Sequence, residues 1–204
     1  MAGFDPTEGL PLLVSSIVAA ILGTFLLFGG GKSPRSLLLT RRSHVKYSKK
    51  KVPQGAVDRA LEAAILAPNH FLSEPWRFYQ CGAETIKKFA ELNADKAAQF
   101  LAVPGMMVVS LKSKHKLDEK LGLEDHAAVS CAVQNFMLSL HAEGVATKWM
   151  TGAMMIPPDK IMEVVGAPDD EKMMAVVWFG YAGEKKSDAP KRKLGVAGVF
   201  TKLP

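Results

Sequence analysis

The sequence predicts an α+β fold, or a three-layer sandwich with helices on both faces of a sheet, behind a single membrane-spanning helix. Three observations carry this. Helix-period and strand-like apolar segments follow one another without the strict alternation of a doubly wound fold. The run Met173–Tyr181 is almost wholly apolar and reads as a central strand. Leu10–Phe28 holds no charged residue over nineteen positions. No G-x-G-x-x-G follows a strand, which disfavours a dinucleotide-binding Rossmann fold.

The nineteen residues Leu10–Phe28 would rise about 28 Å as a helix, close to the hydrocarbon thickness of a bilayer. Leu, Ile, Val and Phe fill twelve of those positions. At a few tenths of a kcal/mol each they favour insertion by roughly 5 kcal/mol. Ser15, Ser16 and Thr24 can bond back to their own helix carbonyls. Asp5 and Glu8 precede the run, whereas Lys32, Arg35, Arg41 and Arg42 follow it. A cleaved secretory signal wants the opposite order. The basic flank places the downstream domain on the cytoplasmic side of a single-pass anchor. Gly29-Gly30-Gly31-Lys32-Ser33 is not a phosphate loop, because Leu26 stands where its first glycine belongs and no strand precedes it. The glycines read as a hinge. The chain thus divides into an anchor over 1–31, a linker over 32–40 and a core domain over 41–204.

Within the core domain, Val52-Pro53 opens a helix, since proline suits a first turn. Val57, Leu61, Ala64 and Ile65 recur at helical spacing, and Pro68 ends the run. Arg77–Cys81 reads as a strand and Glu84–Asn93 as a helix. Met106–Lys112 is a buried strand, and the charged stretch Lys112–Glu124 a loop or lid. Asp125–Glu143 is a long helix with Val129, Val133, Phe136, Met137 and Leu140 on one face, closed by Gly144. Val145–Met150 is a strand, Pro158–Val165 a short helix, and Ala189–Pro204 an extended tail. Trp76 and Trp178 read as core aromatics.

Composition narrows the chemistry. With 48% hydrophobic and 23% charged residues, 204 residues can bury a sizeable core. Cys81 and Cys131 stand far apart in apolar surroundings and read as buried free thiols, with neither a disulfide framework nor a zinc site. The net charge of +6 is concentrated in Arg41–Lys51 and Lys185–Lys193. Such clusters suit nucleic acid, anionic lipid or a phosphorylated cofactor. A nucleic-acid binder is disfavoured, because exposed aromatics do not interleave with the basic residues. No G-x-S-x-G is present, and no histidine pair has metal-ligand spacing beside a carboxylate. Asp125 and His126 point about 100° apart on a helix and do not cooperate. No side chain is assigned as catalytic and no metal is expected, so a bound cofactor would carry the chemistry.

Four groups suit a phosphorylated heterocycle. Arg41, Arg42 and Ser43 offer guanidinium groups and a hydroxyl for a phosphate. Asn69 and His70 sit in the loop A-P-N-H-F-L-S-E-P-W-R-F (Ala67–Phe78) and can meet a ring edge. Thr151-Gly152 follows a strand, where glycine lets backbone N–H groups approach a ligand. Arg192 and Lys193 add charge from the tail.

In this order, R-R-S, the Ala67–Phe78 loop, a Q-N-containing helix ending in G-V-A-T-K-W-M-T-G, F-G-Y-A-G-E and K-R-K-L resemble the FMN-dependent nitroreductase family, in its small members with a P-[DN]-H loop. The resemblance covers roughly Leu39–Leu203. It implies a nitroreductase-like three-layer α-β-α sandwich with a mixed, mainly antiparallel sheet, and a homodimer with two FMN sites at the subunit interface. NADH or NADPH would reduce the flavin, which would then reduce a nitroaromatic, quinone or similar acceptor in ping-pong fashion. Arg41, Arg42 and Ser43 would hold the phosphate and ribityl end. Asn69 and His70 would contact the partner subunit's flavin. Met150, Thr151 and Gly152 would lie along the isoalloxazine. Arg192 matches the family's tail base for the phosphate, with Lys193 one register away. Glu74 departs from the glutamine common before Pro-Trp, and the position near His126 is given no role. An anchored domain of this kind also resembles iodotyrosine deiodinase, but only 27 residues separate Phe78 from Met106. That leaves no room for its long lid, so reductive dehalogenation is the runner-up. A tethered flavin-binding protein with little turnover is a further alternative.

Overall fold

The computed structural model describes residues 33–116, 118–185 and 192–204. The predicted span Leu10–Phe28 lies outside them. Among the described residues, no helix is long and apolar enough to cross a membrane. The chain divides into compact units of residues 1–36 and 37–204, and helix α1 (Pro34–Thr40) crosses that boundary. The segment read as a linker therefore carries a helix, one that buries none of its own residues.

The second unit continues with α2 (Gln54–Ala64), β1 (Trp76–Cys81), α3 (Ala83–Leu92), α4 (Ala97–Leu101), β2 (Gly105–Leu111), α5 (Lys120–Ala142), β3 (Val145–Trp149), α6 (Pro158–Val165) and β4 (Lys172–Tyr181). The strands lie in the order β1-β2-β4-β3, and all three neighbouring pairs are antiparallel. The expected mixed sheet is thus antiparallel throughout its named strands. Among the described residues a single parallel bridge, Ser43 to Thr147, joins the incoming segment to β3. The apolar run of β4 does occupy an interior position.

Alternation along the two inner strands makes three layers, because successive side chains point to opposite faces. Met107, Val109 and Leu111 of β2, with Ala175, Val177 and Phe179 of β4, meet α2 and α5. Met106, Val108, Val176 and Trp178 face α3, α4 and α6, where Phe89, Phe100 and Ile161 are fully buried. Trp76 and Trp178 are core residues, as expected. The apolar face of α5 is buried from Ala128 to Leu140, and Phe136 meets Phe179 edge-on at 6.0 Å between ring centres. Helix α5 begins at Lys120, five residues before the expected start, so the charged loop is shorter. Gly144, at φ 77°, terminates it as expected. At Gly105 a side chain would collide with the Phe179 ring, which explains a glycine at the start of a buried strand.

Cys81 is buried, but Cys131 is exposed, against expectation. It stands two residues from buried Val129, and positions two apart on a helix do not share a face. On the other side of the sheet, buried Glu171 accepts from the Tyr79 and Ser110 hydroxyls, beside the register shift between Val109 and Ser110.

Two outcomes follow. A thiol reagent at neutral pH should modify Cys131 alone, and Cys81 only after denaturation, since burial pushes the Cys81 thiol up to about 12; two thiols reacting at one rate in the native protein would refute this arrangement. Burial, aided by the neighbouring Glu171 carboxylate, pushes Tyr79 up to about 12. Its neutral form is favoured by folding, so the contribution is fully present below the ordinary tyrosine value of about 10 and is lost as pH rises from there through the folded value. Urea midpoints of wild type and Tyr79→Phe should therefore differ most below pH 10 and converge as pH rises toward 12.

Candidate functional site

The segment after α1 turns immediately against β3. Ser43 bridges Thr147, and the His44 amide donates to the Thr147 carbonyl at 3.2 Å. Farther on, Tyr47 bridges Ala182, just beyond β4. These contacts fix Arg41 and Arg42 beside the sheet edge. Arg42 Nη1 donates to the carbonyls of Leu39 and Arg41 at 2.7 and 2.8 Å, closing the end of α1. Its Nε is buried without a hydrogen-bond partner, as is the Thr147 hydroxyl oxygen.

Arg41 is half-buried, and its guanidinium lies below its ordinary value. Burial is the main cause, followed by the charges of Arg42 and Arg192. The charge of Arg192, in the tail, thus acts on Arg41, and Lys193 beside it is exposed. No carboxylate forms a salt bridge with these three arginines among the described residues. Clustered guanidinium groups with an orphaned buried donor are unfavourable alone and favourable around an anion.

Met150, Thr151 and Gly152 continue from β3. Met150 follows Thr147 by three positions, about 10 Å of strand, so the cationic cluster and this segment share one edge. Met150 is buried, and its amide donates to Val176 O at 2.7 Å. That amide belongs to the sheet. Any backbone donation to a ligand falls to the next residues, which form the short 3-10 turn Thr151–Met154.

Asn69 and His70 lie elsewhere. His70 Nδ1 is 2.9 Å from Glu124 Oε2, near the start of α5. Thr40, next to Arg41, contacts His141 near the other end of α5 at 2.9 Å. Seventeen helical positions separate Glu124 from His141, about 26 Å. Within one chain, Asn69–His70 therefore do not join Arg41–Ser43 in one site. The Asn69 side chain is also occupied locally: it donates to Ala67 O and accepts from the Glu74 amide. The loop is conformationally strained, with φ of 48°, 55° and 44° at Phe71, Leu72 and Glu74. Ser73 and Ser113 both donate to Asp125, which is 4% exposed and ties this loop to the one after β2.

Sequence reading missed Thr147, Asn93 and Lys96, and it considered Asp125 only beside His126 and gave it no role. Thr147 stands inside the G-V-A-T-K-W-M-T-G motif and could have been singled out. Asn93 and Lys96 bond to carbonyls 61 and 57 residues away, and no local pattern announces that.

The Nitroreductase family profile matches residues 38–122 and 98–181. The chain is 27% identical over 186 residues to YfhC of Bacillus subtilis, named as an NAD(P)H nitroreductase, covering 83% of this chain and 93% of that protein. A protein of Archaeoglobus fulgidus named as an NADH dehydrogenase/NAD(P)H nitroreductase is 27% identical over 163 residues, covering 74% and 86%. Among solved structures, a nitroreductase from Desulfovibrio desulfuricans in complex with FMN has a TM-score of 0.71 at 22% identity, covering 85% of this chain and 99% of that one. A Streptococcus pneumoniae nitroreductase family protein has a TM-score of 0.72 at 18% identity, covering 84% and 100%. With the antiparallel sheet between two helical layers, these matches establish that the chain belongs to the Nitroreductase family.

Proposed function

We propose that the protein is an FMN-dependent oxidoreductase that takes electrons from NADH or NADPH and passes them to nitroaromatics, quinones or similar acceptors. The observation that carries this is the group of three arginines, Arg41, Arg42 and Arg192, near β3, with which no carboxylate among the described residues forms a salt bridge. Their chemistry and the orphaned Arg42 Nε fit a phosphate. FMN bound here would supply the chemistry, accepting a hydride from the nicotinamide and later releasing electrons to the acceptor.

The chain's own residues would bind and orient. Arg41, Arg42, Ser43 and Arg192, with Lys193 behind them, would hold the phosphate and ribityl end. Met150, Thr151 and Gly152 would border the ring. Asn69 and His70 would serve the site of a partner subunit, because α5 holds them away from their own chain's cluster. That separation supports a homodimer, as does unpartnered apolar surface. Phe71 and Leu72 are 92% and 80% exposed, and Leu194, Val196, Val199, Phe200 and Leu203 of the tail lie open as well. A buried dimer surface accounts for such side chains better than water does. The anchor Leu10–Phe28 would hold this dimer at the cytoplasmic face of a membrane.

The full chain purified in detergent should carry the flavin absorption bands, bleach them with NADH or NADPH, and regain them with a quinone or nitroaromatic. Loss of one charge-assisted phosphate contact, about 1.5–3 kcal/mol, should weaken FMN roughly ten- to a hundredfold in Arg41→Ala or Arg192→Ala. Flavin absent from wild type, or retained at full affinity in both variants, would defeat the assignment. A flavin that neither nicotinamide bleaches would leave a binding protein in place of an enzyme. Extraction of the full chain from membranes by salt alone would remove the anchor from the proposal.

A further inference from the structure

We propose that Lys46, Lys49, Lys50, Lys51 and Lys185 form a docking ledge for an anionic lipid surface, the leaflet that carries the proposed anchor. The inference rests on that anchor and not on the flavin site. It uses charge that the phosphate cluster leaves over, since both basic stretches of the sequence extend beyond the residues assigned to FMN.

The fold joins the two stretches. Tyr47 bridges Ala182, the Ser48 amide donates to Tyr181 O at 2.9 Å, and the Gly183 amide donates to Lys46 O at 2.9 Å. Gly183 packs so tightly here that an added Cβ would lie 3.0 Å from the Tyr47 backbone. Lys46–Lys51 and Lys185 therefore share one edge, although Lys185 follows Lys51 by 134 positions. All five lysines are exposed. Lys46 pairs with Glu184 at 3.5 Å, and Lys50 Nζ lies 4.2 Å from the centre of the Tyr181 ring. Among the described residues, Lys49, Lys50, Lys51 and Lys185 form no salt bridge. No Asp or Glu occurs from Lys32 to Val57.

Like charges held side by side on a paired backbone repel one another, and an anionic surface relieves that repulsion. A bilayer fits this ledge better than nucleic acid does. Bases need exposed rings to stack on, and the rings here, Tyr47 and Tyr181, are part-buried. The chain connection also favours lipid. Lys46 lies eighteen positions after Phe28, the end of the predicted span. Even fully extended, a stretch of that length reaches only about 60 Å. Tethering at that range makes weak contacts effective, because the lipid surface is present at high effective concentration. The proposed orientation places the domain on the cytoplasmic side, where the leaflet is anionic.

The test reconstitutes the full chain in nanodiscs of phosphatidylcholine alone or of an equal mixture with phosphatidylserine. An amine-reactive reagent then reports the accessibility of each lysine by mass spectrometry, with exposed Lys87 and Lys88 of α3 as references. Phosphatidylserine should slow labelling of the five ledge lysines severalfold and leave Lys87 and Lys88 unchanged. High salt should abolish the difference. Each lysine near the surface contributes roughly fivefold to affinity. Combining Lys49→Gln, Lys50→Gln and Lys51→Gln should therefore remove the protection of Lys46 and Lys185, whereas arginine at the same three positions should keep it. Equal labelling of the ledge in both discs overturns the inference, and so does protection that survives the glutamine variant. Stronger protection by a DNA duplex in neutral discs than by anionic lipid assigns the ledge to nucleic acid and overturns it too. Release of the chain from neutral vesicles by salt overturns the anchor reading instead. Flotation of the released chain with anionic vesicles at low salt then still decides the ledge: the wild type should float and the glutamine variant stay behind, and a wild type that stays behind overturns it.

Discussion

Helix α5 is the constraint around which the second unit is arranged. It runs for 23 residues, about 34 Å, and buries one face from end to end against the sheet and α2. Its apolar face sets the inner layer. Arg59 of α2 makes a two-point contact with Glu143 just past its end, through Nε at 2.9 Å and Nη2 at 2.6 Å. Its two ends also set the functional geometry. One end receives the Asn69–His70 loop through Glu124 and Asp125, and the other receives the approach to Arg41 through His141. A rigid rod of that length keeps apart two groups that the family motif treats as one site. In the proposed homodimer, two copies of the chain would reunite them.

The arginine cluster poses the matching electrostatic problem. Two neighbouring guanidinium groups and a third from the tail repel one another, and Arg41 is partly withdrawn from water besides. Repulsion of this kind is retained where a ligand removes it. Arg42 divides its work: Nη1 closes α1, while Nε is buried with no hydrogen-bond partner among the described residues. The bridge between Ser43 and Thr147 turns a flexible approach into an added partial strand, so the charges are placed by backbone pairing. Tyr47 supports the same segment, its hydroxyl donating to His44 O at 2.8 Å, and burial pushes that phenol above its ordinary value.

Much of this was legible in the sequence, and what was not had a physical reason. The strands stood out because β2 and β4 are covered on both faces, so their apolar runs are unbroken. Helix α2 was legible through Val57 and Ala64, but Ile65, assigned to the same face, lies past the helix end and is exposed. Helices α1 and α4 were invisible: the first buries nothing, and the second has five residues, of which only Phe100 is buried. Arg41, Arg42 and Arg192 were legible as charge, although their convergence depends on the fold. The bracing role of Asn69 was not, because an asparagine that holds a loop and one that meets a ligand look alike in sequence. The left-handed residues Phe71, Leu72 and Glu74 were beyond reach too, since sequence cues for that region are glycine and asparagine.

Those three residues bear on how the loop works. Each left-handed non-glycine residue costs of order 1–3 kcal/mol and persists only where its surroundings over-determine it. Here the surroundings are Asn69 bonded to Ala67 and Glu74, Ser73 bonded to Asp125, and the buried Pro75-Trp76 that leads into β1. All these anchors act on the backbone or on polar side chains. The Phe71 ring meets the neighbouring His70 ring edge-on at 4.1 Å and is otherwise in the open. The strain therefore does not serve the protein's own core. A loop held rigid from within while its apolar side chains face outward is pre-organised, which lowers the ordering cost of whatever it meets. The anchors that produce this rigidity sit at the end of α5 farthest from the arginines, so in the proposed dimer the loop of one chain and the charge cluster of the other would form two prepared halves of one surface.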